Sequence, residues 1–366
     1  MRNKSFRVWS VFLFNVFNEV STMFAACLRI QHFKYIHMKT DILTEKHRLG
    51  LGGVAIGTAF ENITDEQAHK ILQTAWDSGI RYYDTSPWYG LTKSERRFGD
   101  FLKDKDRSDF IFSTKVGRLF NEVSESEVPP TMWKNPLHYD FFHDYTANAV
   151  QKSIEDSLER TGLSHIDIVY IHDLSEDQVG DRYPYFLKQA REGAFKILSK
   201  LREQGVIKAW GMGVNKIEPI LDCIASADPD ICLSATQYSI LEHEDAVDRL
   251  LPVVRKAGVK LVSGAGYNSG YLAGRERYNY KDVIPKGMHE KRARMTSIAE
   301  KYNISIIDAA LHFVLAADEF ASIIPGASKK EQVMDNVEAL HADIPMGFWQ
   351  ELKAEGLIYE KAQVPQ

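Results

Sequence analysis

From about residue 50 onward, short β-rich runs alternate with helical patterns, and this alternation constrains the chain more than any other feature. A strand that is followed by a helix and then another strand has to cross over, so consecutive strands lie parallel in one sheet. The composition and flanks of each run predict strands at 51–56, 81–85, 110–116, 166–172, 207–214, 233–238, 259–264 and 323–326. Several of these runs are apolar without alternation, as strands covered on both faces should be. Apolar residues at helical spacing predict helices at 64–78, 147–161, 195–204, 218–226, 244–256, 290–302, 305–316 and 330–340. Eight such units predict an α/β fold, a (β/α)8 TIM barrel, and 366 residues leave room for loops and a tail.

Three connections are longer than simple turns. Residues 118–144, after strand three, contain Pro129, Pro130, Trp133 and Pro136; residues 173–191, after strand four, contain Tyr183, Pro184, Tyr185 and Phe186. The interval after strand seven holds two helical patterns. All three leave the carboxyl ends of their strands, where barrel active sites are built, and their length points to functional loops. Their aromatic content predicts a substrate-pocket wall, with Trp88, Arg118 and Trp133 as its candidates.

A net charge of −5 excludes the basic footprint of a nucleic-acid binder. Three cysteines, Cys27, Cys223 and Cys232, are too few and too scattered for a disulfide framework or a zinc site. A cytoplasmic protein with a small-molecule substrate, no membrane association for the barrel and no metal is the resulting expectation. Residues 1–37 fit poorly with the rest. Arg2 and Lys4 precede an apolar run that Asn15, Asn18 and Glu19 interrupt, and Ala25-Ala26-Cys27 follows. This segment is expected to be an extension outside the fold, with an export signal or lipid anchor as the other reading. Residues 38–366 then form one domain.

Gly50-Leu51-Gly52-Gly53-Val54-Ala55 matches G-x-G-x-x-A, the dinucleotide fingerprint. That fingerprint needs a strand before it and a helix after it, and neither is expected here. The segment is read instead as a glycine-rich first strand at a crowded barrel bottom.

The informative residues stand at the ends of strands two, three and four. Strand two carries Asp84, and Tyr89 follows five residues later in Thr85-Ser86-Pro87-Trp88-Tyr89-Gly90. Strand three carries Lys115 in Ser113-Thr114-Lys115-Val116, and strand four ends in Ile171-His172. On a barrel all these ends point to one face. An acid, a phenol, an amine and an imidazole suit hydride chemistry at a carbonyl. Tyr89 would exchange a proton with the substrate oxygen, Lys115 would lower its pKa, Asp84 would hold the lysine, and His172 would orient the oxygen. The hydride itself requires a cofactor.

These segments resemble the aldo-keto reductase family, and the resemblance runs from about residue 50 to residue 345. It implies NAD(P) as cofactor and the tetrad Tyr89, Asp84, Lys115 and His172. It also implies Asn215 and Gln237 at the nicotinamide carboxamide, with Gln237 in strand six. Ser263, Gly264, Gly266, Asn268, Gly270 and Leu272 would cover the pyrophosphate. Gly326, Ser328, Lys329, Gln332, Asp335 and Asn336 would meet the adenosine phosphate. Two departures stand out. Many NADP-specific members carry Lys and Arg where this chain has Gly326 and Gln332, which leans the cofactor toward NAD, although Lys329 and Lys330 lie nearby. Val214 stands where a serine is usual. Within the family, Lys115-Val116-Gly117-Arg118 and Tyr267-Asn268-Ser269-Gly270 resemble the bacterial aldose 1-dehydrogenase and pyridoxal 4-dehydrogenase branch. That branch implies oxidation of a cyclic hemiacetal, such as L-fucose, to a lactone, a role in carbohydrate metabolism. A general aldehyde or ketone reductase, a pyridoxal 4-dehydrogenase and an NADP(H)-sensing barrel with little turnover are the alternatives.

Overall fold

A computed structural model describes residues 42–366, and the expectation about residues 1–37 lies outside them. Eight strands form one parallel sheet: β1 (Leu51–Gly52), β2 (Tyr82–Asp84), β3 (Ile111–Val116), β6 (Ile168–His172), β7 (Ala209–Val214), β8 (Ile231–Ala235), β9 (Lys260–Gly264) and β10 (Phe320–Ile323). Parallel bridges Leu49↔Ile323 and Gly52↔Gly326 bring the last strand back to the first. A Cβ on Gly52 would stand 2.7 Å from the Ile324 carbonyl oxygen, so only glycine lets the backbones meet at this seam. The fold is the (β/α)8 barrel that the alternation predicts.

The barrel interior is packed with side chains. Tyr82, Tyr170, Ile168, Ile231, Leu233 and Val262 form a buried cluster that Leu43 joins. Each such apolar side chain contributes about 1.5–3 kcal/mol by leaving water. The two interior phenols satisfy each other across 3.1 Å, and Tyr82 Oη lies 3.2 Å from Ser113 Oγ. A second, larger core fills the space between the sheet and its surrounding helices.

Several boundaries differ from expectation. Strand one stops at Gly52 rather than 56, because Gly53 N–H turns to the Asp84 carbonyl at 2.8 Å and a turn follows. Strand six covers Ile231–Ala235, so Gln237 lies beyond it, after Thr236 at φ +65°. Strand eight is Phe320–Ile323 and ends before Pro325, which has no N–H to continue a ladder.

Three helices of nine or more residues were hidden from periodicity: Lys93–Leu102, Tyr183–Glu192 and Met346–Ala354. The first buries polar residues on its inner face, including Glu95, which accepts from Thr114 Oγ1 and Arg160 Nε at 2.6 Å each. The long loop after β3 folds into an antiparallel hairpin, β4 (Arg118–Glu122) with β5 (Tyr139–His143), in the register Arg118↔His143 to Glu122↔Tyr139. The loop after β9 carries the two expected helices, Met288–Lys301 and Ile306–Leu315.

Candidate active site

The carboxyl ends of β2, β3 and β6 converge as their sequence positions predict. Lys115 is buried at 1% exposure, with Nζ 2.7 Å from Asp84 Oδ1 and 2.9 Å from the Thr85 carbonyl oxygen. Ser113 Oγ donates to the other Asp84 oxygen at 2.7 Å, so the carboxylate is bonded on both atoms. A buried ammonium needs this pairing, since an unpaired charge costs several kcal/mol. The turn after β2 then carries Tyr89 over the lysine, whose Nζ lies 4.6 Å from the centre of the phenol ring. The Tyr89 and His172 rings meet edge to face with centroids 5.8 Å apart.

Burial pushes the Tyr89 phenol well above its ordinary value of 10, and the Asp84 and Asp173 charges add to the rise while Arg118 opposes it. The Lys115 ammonium lies over the ring face and is paired with Asp84. At neutral pH Tyr89 is a protonated phenol, ready to donate. Burial also holds the His172 pKa well below 6.5, assisted by the Arg118, Lys115 and His143 charges, so its ring is neutral.

All four residues line one cleft of about 250 Å³, which runs from Trp88 and Trp133 past Asn215, Gly264 and Gly266 to Gly326, Ser328 and Gln332. Trp88 and Trp133 stand edge to face at 5.6 Å and form the wall expected of the loop aromatics. Arg118 does not. It lies 4% exposed behind His172, with its guanidinium 4.8 Å from the Trp88 ring centre, and it does not line the cleft.

Of the residues expected at the cofactor, Gln237, Ser263, Asn268, Gly270, Leu272, Lys329, Asp335 and Asn336 do not line the cleft. Gln237 turns its amide to the Asn215 carbonyl at 2.7 Å, because its strand has already ended. Ser263 and Asn268 are fully buried, and Asn268 donates to Asn279 Oδ1 at 3.0 Å. Leu272 belongs to the core. Gly270 packs against Arg275, while Lys329 and Asp335 are exposed and Asn336 is buried at the helix Lys330–Leu340. Conversely, Gly52, Val54 and Ala55 line the cleft, so this glycine-rich segment sits at the active face and not at the barrel bottom.

Sequence reasoning missed Asp173, Phe60, Tyr267, Arg277 and Tyr280, all of which line the cleft. Phe60 and Tyr280 stack at 6.4 Å, and Arg277 lies 3.8 Å over Phe60. The loop residues carry no periodic signal. Asp173 could have been found from its place one residue past His172.

The cleft suits a dinucleotide. Gly264, Ala265 and Gly266 bring bare backbone to its floor, and the buried hydroxyl of cleft-lining Tyr267 has no protein partner. Gln332 Oε1 accepts from the backbone N–H groups of Ser328 (2.8 Å) and Lys329 (3.2 Å) at the start of the helix Lys330–Leu340. No helix among the described residues is long and apolar enough to cross a membrane.

Comparison with known proteins agrees with this geometry. The chain is 36% identical to pyridoxal 4-dehydrogenase from Microbacterium luteolum, over 85% of this chain and 94% of that protein. It is 34% identical to D-threo-aldose 1-dehydrogenase from a Pseudomonas species, with the same two coverages. A solved aldo-keto reductase from Bacillus halodurans, in its holo form, superposes with a TM-score of 0.65 at 23% identity, covering 87% of this chain and 94% of that one. Residues 48–355 match the model of the aldo/keto reductase family, and the chain belongs to that family.

Proposed function

We propose that this protein is an NAD-dependent aldose 1-dehydrogenase that oxidises the anomeric carbon of a cyclic hemiacetal, such as L-fucose, to a lactone. The observation that carries the reading is the buried Lys115–Asp84 pair beneath Tyr89, with neutral His172 on the same cleft. When bound, the nicotinamide accepts or returns the hydride. Tyr89 exchanges the proton of the substrate oxygen, and His172 donates a hydrogen bond that directs that oxygen. Lys115 and Asp84 keep the ring in place, and Trp88 and Trp133 exclude water. Asn215, Gly264, Gly266, Gly326 and Ser328 would hold the cofactor along the cleft floor. The leaning toward NAD rests on Gln332, whose oxygen occupies helix-start amides that would otherwise meet a phosphate. A cytoplasmic setting suits the buried thiols of Cys223 and Cys232.

Pyridoxal oxidation is the second reading, favoured by the 36% identity to pyridoxal 4-dehydrogenase. A panel of aldoses, pyridoxal and simple aldehydes, each with NAD and NADP and read by nicotinamide absorbance, separates these readings. Lactone formation from an aldose with NAD is the expected result. Turnover of aldehydes alone would make the protein a general reductase, and cofactor binding without turnover of any substrate would make it a sensor.

A further inference from the structure

His172 and the residue after it, Asp173, share one partner. Arg118 Nη1 lies 3.3 Å from His172 Nδ1, and Arg118 Nη2 donates to Asp173 Oδ2 at 2.9 Å. A guanidinium only donates, so Nδ1 has to accept. Ser86 agrees with this. Its oxygen accepts from Trp88 N–H at 3.1 Å, leaving its own proton for Nδ1 at 3.0 Å. A neutral imidazole with Nδ1 accepting carries its proton on Nε2. The same arginine thus fixes an N–H donor on His172 and holds a negative charge on Asp173.

Both groups line the cleft, with Nε2 and Asp173 Oδ2 3.5 Å apart. That separation is too long for a strong hydrogen bond between them, so the donor stays available. The other Asp173 oxygen, Oδ1, takes no hydrogen bond from any described residue, although the residue is only 7% exposed. Its backbone sits at φ +50°, a left-handed conformation that aspartate adopts more readily than most side chains, and its N–H is anchored to the Gly213 carbonyl at 2.9 Å. Burial, a fixed backbone and an open acceptor coincide on one side chain.

We propose that Asp173, held by Arg118, accepts a hydrogen bond from a substrate hydroxyl on the atom next to the reacting carbon. The enzyme thereby selects 2-hydroxy carbonyl compounds and their cyclic hemiacetals. His172 Nε2–H meets the reacting oxygen and Asp173 meets its neighbour, which matches two oxygens on adjacent carbons. Arg118 is a positioning residue: it touches neither oxygen and sets the protonation of both groups that do. This inference rests on the carbonyl-level hydride transfer proposed above and names the substrate feature that the site reads.

The test compares kcat/KM for lactaldehyde against propionaldehyde in reduction, and for an aldose against its 2-deoxy form in oxidation. Wild-type enzyme is expected to favour the hydroxylated member by about ten- to hundredfold, the range for a hydrogen bond to a charged group. Asp173→Ala should bring each ratio close to one, and Asp173→Asn, which keeps an oxygen for Arg118, should lower it by a smaller factor. Circular dichroism checks that both variants fold. A ratio that stays unchanged in both variants, or a wild type that treats both members of each pair alike, overturns the proposal. An Asp173-dependent preference for lactaldehyde without any aldose oxidation leaves it standing and overturns the lactone-forming reading instead.

Discussion

Two aspartates flank the same strand and are used in opposite ways. Asp167, just before β6 at the amino end of the barrel, is fully buried and ion-paired: Arg107 and the Phe112 N–H (2.8 Å) bond its Oδ2, and the Lys208 ammonium lies 2.8 Å from its Oδ1. Asp173, just after β6, lines the cleft with one oxygen bonded to Arg118 and no hydrogen bond from a described residue on the other. The pattern extends around the barrel. At the amino end, Asp230 pairs with Arg202 at 2.9 Å and Glu319 with Arg255 at 2.6 Å, tying strands to neighbouring helices. At the carboxyl end, Tyr89, His172 and Asp173 all face the cleft. Carboxylates paired with cations at the amino end act as structural rivets, whereas polar groups that line the cleft at the other end are available to a ligand.

The contrast predicts that substitutions at the two ends fail in different measurements. The largest effect is expected from Tyr89→Phe, which removes the proton donor and should lower kcat by about 10²–10⁴-fold. Its melting temperature and its cofactor affinity, followed by fluorescence titration, should stay near wild type. A variant keeping a tenth of wild-type turnover would remove Tyr89 from its role.

Asp167→Ala should do the reverse. It leaves Arg107 without its buried partner, so a loss of about 3–5 kcal/mol is expected in denaturant unfolding. Turnover per folded molecule should be preserved. If catalysis fell while stability held, the division between the two ends would collapse.

A pH profile sharpens the same comparison. Tyr89 is held above its ordinary value, so it is protonated through the neutral range. Reduction uses that proton and should be flat from neutral to mildly alkaline pH. Oxidation needs the phenol to have lost it, a form whose population grows about tenfold per pH unit below the pKa. Oxidative kcat/KM should climb accordingly, and an oxidative profile that levels off near neutrality would contradict the assignment.

The smallest effect belongs to the far rim of the cleft. Gln332→Arg frees the Ser328 and Lys329 amides and adds a planar cation, so the ratio of kcat/KM with NADP to that with NAD should rise about tenfold. An unchanged ratio would show that Gln332 does not read the ribose phosphate. A wild-type preference for NADP that disappears on replacing Lys329 or Lys330 with alanine would assign the recognition to those lysines.

Much of the barrel was legible because buried parallel strands and amphipathic helices impose different periods on the chain. The segments that escaped are those where polar residues serve as packing. Glu95 and Gly99 sit on the buried face of Lys93–Leu102, and their character masks the apolar stripe around Phe98, Phe101 and Leu102. The hairpin of β4 and β5 was read as loop because its partners lie far from the main sheet's pattern. Arg118 opens the long connection after strand three and is expected in the substrate wall for that reason. Its partners, Asp173 and His172, are supplied by β6 and its end, more than fifty residues away.

The sequence by itself determined that Asp84, Lys115 and His172 stand at strand ends and that Tyr89 follows five residues behind the first of them. Spacing is enough for that, because a parallel barrel turns every strand end to one face. Only the tertiary structure decided which polar atoms are already bonded and which remain open. Lys115 is spent on Asp84, Gln332 on helix-start amides, and Arg118 on a histidine and an aspartate, while one oxygen of Asp173 is left over. Periodicity reports which way a side chain faces. The partner it meets there comes from a distant part of the chain, and that partner sets its charge, its proton and its freedom to bind.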